Sequence, residues 1–172
     1  MSLLIVDGYN IINNWPEFSG LRDQNMGGAR IKLNEILVAY VPFSWQKIII
    51  VYDAYRIKKH TPTVEEFGGL QVIYTAEGQT ADSFIERLVT TLIGAGSSVE
   101  VASSDLMEQN IILWKGGQRV SARELRQRLQ ALRVELFAGN VSATWHAPLD
   151  ECIPLPVKLV MEKWRRRKTD EC

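Results

Sequence analysis

Residues 3–12, Leu3-Leu4-Ile5-Val6-Asp7-Gly8-Tyr9-Asn10-Ile11-Ile12, read "LLIVDGYNII". Four apolar residues in a row, without polar alternation, predict a strand buried on both faces, as at the centre of a parallel sheet. Asp7 ends that run. In open sheets of parallel strands, ligands collect in the crevice beyond the carboxyl ends of the strands. A lone Asp-Gly is also a common turn. The meaning of Asp7 therefore depends on which other residues reach the same edge.

Three more apolar segments predict strands, at Lys47–Tyr52, Gln71–Tyr74 and Val99–Ala102. Helical periodicity lies between them. Gly28–Tyr40 places Ile31, Ile36, Leu37 and Tyr40 near one face, and Thr80–Ile93 does the same with Phe84, Leu88, Leu92 and Ile93. Strands that alternate with helices argue for βαβ units and an α/β fold with a mainly parallel sheet. A short helical stretch is expected over Leu106–Leu113. Ser121 and Glu124 have capping-box spacing and open a helix to about Phe137, which Gly139-Asn140 ends. Residues 140–156 contain three prolines and read as a loop before a last helix, Val157–Arg167.

The 172 residues fit one domain, 1–172, with a basic C-terminal helix and tail at about 157–172. A charged fraction of 23% against 46% hydrophobic residues marks a globular chain rather than a disordered one. No apolar run is long enough to span a bilayer, and the first apolar stretch stops at Asp7, so neither a membrane span nor a signal peptide is expected. Cys152 and Cys172 form no motif, which agrees with a reducing, cytoplasmic setting. His60 and His146 are isolated and suggest no zinc site. The net charge is zero, but residues 1–112 carry 8 Lys/Arg against 13 Asp/Glu and residues 113–172 carry 12 against 7. An acidic front and a basic back suit cation binding in one region and polyanion contact in another, and an ordinary solvated surface gives the same tally.

The acids repeat one position. Asp53 follows "KIIIVY" and Asp105 follows "VEVASS", so both stand at strand carboxyl ends as Asp7 does. Asp82, in "GQTADSFIE", opens the helix after "QVIY", on the same edge, and Glu86 lies one turn further on the same helix face. Carboxylates brought this close raise one another's pKa, and a cation removes the conflict. Mg2+ and Mn2+ prefer oxygen ligands and assist phosphodiester hydrolysis. Each acid also has a plainer reading: Asp105 with Glu108 as a helix cap, Asp82 and Glu86 as helix N-terminal charges, Asp53 as a turn residue. Asn10 could hold a phosphate, a water or a ligand carboxylate through its amide.

The segments "LLIVDGYNII", "IIIVYDAY", "VIYTAEGQTADSFIERL", "VEVASSDLMEQ", "SARELRQRL" and "EKWRRRK" resemble the YacP-like proteins of the NYN group, within the PIN-like nuclease superfamily, from Met1 to about Lys168. The resemblance implies a PIN-like three-layer sandwich, with a central, mainly parallel sheet and helices on both faces. It implies a metal-dependent endoribonuclease, with Asp7, Asn10, Asp53, Asp82 and Asp105 catalytic and Mg2+ or Mn2+ held by Asp7, Asp82 and Asp105. Asp53 and Glu86 are further candidate metal ligands, with Asp53 completing or supporting the acidic site. It also implies a link to the ribosome and to messenger RNA cleavage. The family usually has a second acid directly after the aspartate of the "TAD" motif, and here that place is taken by Ser83.

RNA contacts are expected from Tyr55, Arg56, Lys58 and Lys59 beside the crevice, from Arg119 and Arg123, and from the run Arg165-Arg166-Arg167-Lys168. Two other readings use the same residues. One is a non-catalytic RNA- or ribosome-binding module that keeps the fold. The other is a signalling receiver with Asp53 as phosphoacceptor, but receivers want paired acids after the first strand, and here Gly8 follows Asp7.

Overall fold

The computed structural model describes residues 2–53, 61–105, 110 and 112–138. Tyr55, Arg56, Lys58, Lys59, most of the expected helix at residues 106–113, the loop at 140–156 and the basic segment with Arg165, Arg166, Arg167 and Lys168 lie outside the described residues. By contact density the chain divides into two compact units, Met1–Gln127 and Arg128–Cys172. The described part of the second unit, residues 128–138, is helical.

The first unit is built on a six-stranded sheet. Its strands are β1 (Leu3–Asp7), β2 (Lys47–Tyr52), β3 (Thr63–Phe67), β4 (Leu70–Tyr74), β5 (Val99–Ala102) and β6 (Gln118–Val120). Their order is β3-β4-β2-β1-β5-β6. All neighbours are parallel except β3 and β4, which form an antiparallel hairpin. The helices are α1 (Gly8–Asn14), α2 (Ser19–Gln24), α3 (Met26–Val38), α4 (Val41–Ser44), α5 (Ala81–Gly94) and α6 (Ala122–Ala138), with a 3-10 turn at Pro16–Phe18. No helix among the described residues is long and apolar enough to cross a membrane.

Side-chain alternation gives the sheet two buried faces. Ile5, Ile49, Val51, Ile73, Val99 and Val101 form one face and pack with Ala81, Ile85 and Val89 of α5. Leu4, Ile48, Ile50 and Tyr52, also fully buried, belong to the opposite face. There the Tyr52 hydroxyl donates to Asn34 Oδ1 of α3 at 2.9 Å and reaches the Arg30 carbonyl at 3.3 Å. Helices thus cover both faces of a mainly parallel sheet, as the apolar runs predicted.

Two helix faces differ from expectation. In α3 the buried stripe is Ala29, Leu33, Asn34, Leu37 and Val38, while Ile31 and Ile36 are half-buried. The buried amide of Asn34 interrupts the apolar pattern, which is why hydrophobicity alone selected a neighbouring face. In α5 the stripe is centred on Ala81, Ile85 and Val89, and the expected Phe84, Leu88, Leu92 and Ile93 flank it, partly buried. The capping box of α6 is present: Ser121 N–H donates to Glu124 Oε2 at 2.7 Å, and Glu124 N–H donates to Ser121 Oγ at 3.2 Å.

Strands β3 and β6 lack a strong sequence signal. Most of β3 is exposed, with two acids among its five residues, and β6 has three residues. Gly68-Gly69 form the β3–β4 turn, take φ of 52° and 89° and join Phe67 directly to its partner Leu70. Positive φ at both central residues is what a type I′ two-residue hairpin requires.

Gly8 opens α1 directly behind β1. A Cβ there would stand 2.2 Å from Tyr52 Cε1, and the fully buried Tyr52 ring has no room to yield. Gly8→Ala is expected to cost about 1–3 kcal/mol through overpacking. Gly20→Ala, in α2, where nothing lies within 4 Å, is expected to gain about 0.5–1 kcal/mol from helix propensity. Chemical denaturation midpoints of the two variants should move in opposite directions.

Candidate active site

Asp7 is the last residue of β1 and the N-cap of α1. Its Oδ1 accepts the Asn10 N–H at 3.0 Å, and the neighbouring Tyr9 N–H also favours the carboxylate. These N–H groups favour the charged form. Burial opposes them and dominates, since Asp7 is only 8% exposed, and the charges of Asp82 and Asp105 add to burial. Its pKa rises from 3.8 to about 6.

Three further acids reach this edge from separate elements. Asp53 directly follows β2, Asp82 is the second residue of α5 and Asp105 lies three residues beyond β5. Asp82 is raised by desolvation first, and then by the charges of Asp105 and Asp53. Strand parity puts Asp7 and Asp53 on the side of the sheet that α5 covers, which accounts for their coupling to Asp82. The four expected aspartates are therefore electrostatically linked, although Asp82 and Asp105 are exposed and Asp7 is not.

Glu86 is diverted from this set. It pairs with Lys115 Nζ at 3.2 Å, and its charge is not among those that raise Asp7 or Asp82. Ser83, in the place of a second acid, serves the start of α5. Its N–H donates to Thr80 Oγ1 at 3.3 Å and its hydroxyl donates to the Thr80 carbonyl at 3.1 Å.

The loop that carries Asp105 is held from three directions. Ser103 N–H donates to the Val120 carbonyl at 3.1 Å, and the Ser103 hydroxyl accepts the Asp105 N–H at 3.1 Å. Ser104 N–H donates to Asn10 Oδ1 at 2.9 Å, and the Ser104 hydroxyl accepts the Ala122 N–H at 3.1 Å. Asn10 therefore ties the first-strand turn to the Asp105 loop. Because a backbone N–H requires an acceptor, the amide oxygen faces Ser104, and only the Nδ2 end remains for a ligand.

Of the expected basic contacts, Arg119 on β6 and Arg123 in the first turn of α6 are described, and both are exposed. An aromatic group beside Asp7 went unread in the sequence. Tyr52 stacks on Tyr74 with centroids 5.6 Å apart and meets Tyr9 edge-on at 5.3 Å. Arg30 lies over the Tyr74 ring, 5.6 Å from its centroid, and donates from Nη1 to the Tyr9 hydroxyl at 3.1 Å. The available signal was Tyr9 itself, in the helical turn that Asp7 caps.

Among the described residues, no three His, Cys, Asp or Glu side chains are already closed to metal-binding spacing. The donor chemistry nonetheless fits a hard divalent cation. Every candidate ligand is a carboxylate, and their charges repel one another. Mg2+ is commonly held by one or two carboxylates, with water and phosphate oxygens completing its shell.

The raised Asp7 predicts a pH dependence. A carboxyl whose folded pKa lies above its unfolded value contributes stability below the unfolded value and loses it as pH rises through the folded value. Metal-free stability should therefore fall between about pH 4 and pH 6, by roughly 3 kcal/mol for a shift of about two units. Asp7→Asn keeps a side-chain acceptor for the Asn10 N–H. It should flatten the fall and be more stable than wild type at pH 7.5 but not at pH 4, measured by denaturation in chelator.

Residues 4–166 match the YacP-like NYN domain family. The chain is 32% identical over 171 residues to the "Uncharacterized protein YacP" of Bacillus subtilis, covering 99% of this chain and 100% of that one. It also resembles the crystal structure of Rae1 (YacP) from Bacillus subtilis, with a TM-score of 0.65 and 31% identity over 100% of this chain and 99% of that one. The W164L mutant of that protein matches with a TM-score of 0.68 and 29% identity over 99% and 98% of the two chains. The six-stranded sheet is thus a PIN-like α/β fold, and an NYN domain of this kind implies a nuclease-type, RNA-related function. The buried Asp7 at the end of β1, the acids around it and the match over residues 4–166 have one account: this chain belongs to the YacP-like NYN domain family.

Proposed function

We propose that this protein is a Mg2+- or Mn2+-dependent endoribonuclease that hydrolyses RNA phosphodiester bonds, with messenger RNA on the ribosome as its substrate setting. One observation carries the reading: Asp7, Asp53, Asp82 and Asp105 come from separate elements to one sheet edge, where their charges raise Asp7 and Asp82. A fold spends stability on such crowding when a cation relieves it. The ribosomal setting rests on family resemblance.

Asp7, Asp82 and Asp105 would hold the ion, with Asp53 in support. When bound, a divalent ion supplies positive charge and lowers the pKa of water. The chain's own residues do the rest. The Asn10 and Tyr9 N–H groups fix the Asp7 carboxylate. Asn10 Oδ1 holds the Ser104 backbone, so Asp105 keeps its place relative to Asp7. The Asn10 Nδ2 end is left to donate to a phosphate oxygen or a water. Attack by water breaks the P–O3′ bond and leaves a 5′-phosphate and a 3′-hydroxyl, whereas attack by a 2′-hydroxyl would leave a cyclic phosphate.

Purified protein should cleave single-stranded RNA in Mg2+ or Mn2+ and leave 5′-phosphate ends. Asp7→Asn and Asp82→Asn should each reduce the rate about 100-fold or more, the loss of several kcal/mol of transition-state stabilisation. Parallel reactions with purified ribosomes test the substrate setting. Wild-type rates in both variants, or cyclic phosphate ends, would overturn the mechanism.

The same ions should raise the melting temperature. Binding to the folded state alone adds about 2.7 kcal/mol at an ion concentration 100 times the dissociation constant. An Asp7→Asn/Asp82→Asn double variant should lose most of that gain. Equal gains in both proteins would place the ion elsewhere.

A further inference from the structure

On the face of the sheet opposite α5, Arg30 of α3 sits at the same carboxyl-terminal edge as the acids. Among the described residues it has no carboxylate partner within ion-pair distance. Among the same residues its side chain donates to the Tyr9 hydroxyl, and its guanidinium lies over the Tyr74 ring. Burial first, and then the charge of Glu65 on the edge strand β3, raise the Tyr74 phenol, but Glu65 makes no ion pair with Arg30.

Resting on the ribonuclease reading, we infer that Arg30 is a phosphate-binding residue that grips the RNA backbone next to the scissile phosphate. Tyr9 supplies the connection. Its backbone N–H lies beside the Asp7 carboxylate, and its hydroxyl accepts from Arg30. One tyrosine therefore spans the distance from the acidic pocket to the guanidinium. The stack of Tyr52 on Tyr74 supports it from below. Tyr52 is fully buried and tied to Asn34, so this support is fixed before RNA arrives.

A guanidinium has five N–H donors in a planar fork that matches a phosphate bidentately. The Tyr9 bond uses one of them, and Arg30 is only half-buried. An arginine with a hydroxyl acceptor on one side, an aromatic ring on another and no acid partner among the described residues retains its charge for an anion. The acids lie on the α5 side of the edge and Arg30 on the α3 side. A strand crossing the edge between the two would place one phosphate at the acids and a neighbouring phosphate at Arg30.

The test is binding of a fluorescent single-stranded oligoribonucleotide to the full chain in EDTA, where cleavage is absent, at several salt concentrations. Arg30→Gln should weaken binding about tenfold and lower the log–log salt slope by about 0.7, the value for one phosphate contact on a single strand. Arg30→Lys should restore the slope but only part of the affinity, because the fork is lost. Tyr9→Phe, which keeps Arg30 and its charge, should preserve the slope with a smaller loss of affinity. Lys47→Gln, at the opposite end of β2 and paired with Glu66, should bind as wild type does. If Arg30→Gln melts near the wild-type temperature and keeps the wild-type affinity and slope, the assignment of Arg30 falls. The ribonuclease reading then stands or falls separately, on whether Asp82→Asn abolishes cleavage. If the wild-type protein neither binds nor cleaves RNA, both fall together.

Discussion

The close approach of Gly8 to the Tyr52 ring sets the geometry of the whole sheet edge. With no side chain at position 8, α1 begins directly where β1 ends and lies against β2 without an intervening loop. Asp7 must then serve as both the last strand residue and the first helix cap. That double role buries a carboxylate at the mouth of the crevice and aims backbone N–H groups at it. A bulkier residue at position 8 would push α1 away and carry the carboxylate with it.

Two opposed electrostatic designs meet at this edge. On the α5 side, acids from β1, β2, α5 and the loop after β5 crowd together, and their repulsion adds to the cost of burying Asp7. On the α3 side, a guanidinium is held by aromatic groups and left without an acid partner among the described residues. Unrelieved repulsion on one side and unspent positive charge on the other call for opposite partners. On the proposed reading, a cation would relieve the first and a phosphate backbone would occupy the second. Tyr9 touches both sides, one through its amide and the other through its hydroxyl.

The two serines before Asp105 and the serine after Asp82 show how local polar groups hold acids in place. Ser103 and Ser104 fasten their loop to β6, α1 and α6, so Asp105 projects from a braced backbone. Ser83 completes the cap of α5 with Thr80, which fixes the first helical turn and Asp82 within it. A short polar side chain at position 83 trades a possible additional acid for a firmer helix start.

Much of this was determined by the sequence alone. The apolar runs at β1, β2, β4 and β5, the helical periods of α3 and α5 and the Ser121–Glu124 box are local patterns, and each became the element it encodes. The four aspartates were legible because each follows a strand or opens a helix, so the topology of a parallel sheet carries them to one edge. Tertiary structure decided what had no local signature. Asn34 is polar yet buried because Tyr52, eighteen residues later, donates to it. Asn10 reaches Ser104 across 94 residues, and Glu86 leaves the acidic set because Lys115 lies beside it. Arg30 and Tyr9, 21 residues apart, meet only once α1 and α3 share a face of the sheet. Backbone periodicity is written in neighbouring residues, whereas side-chain partners are chosen by packing between distant ones.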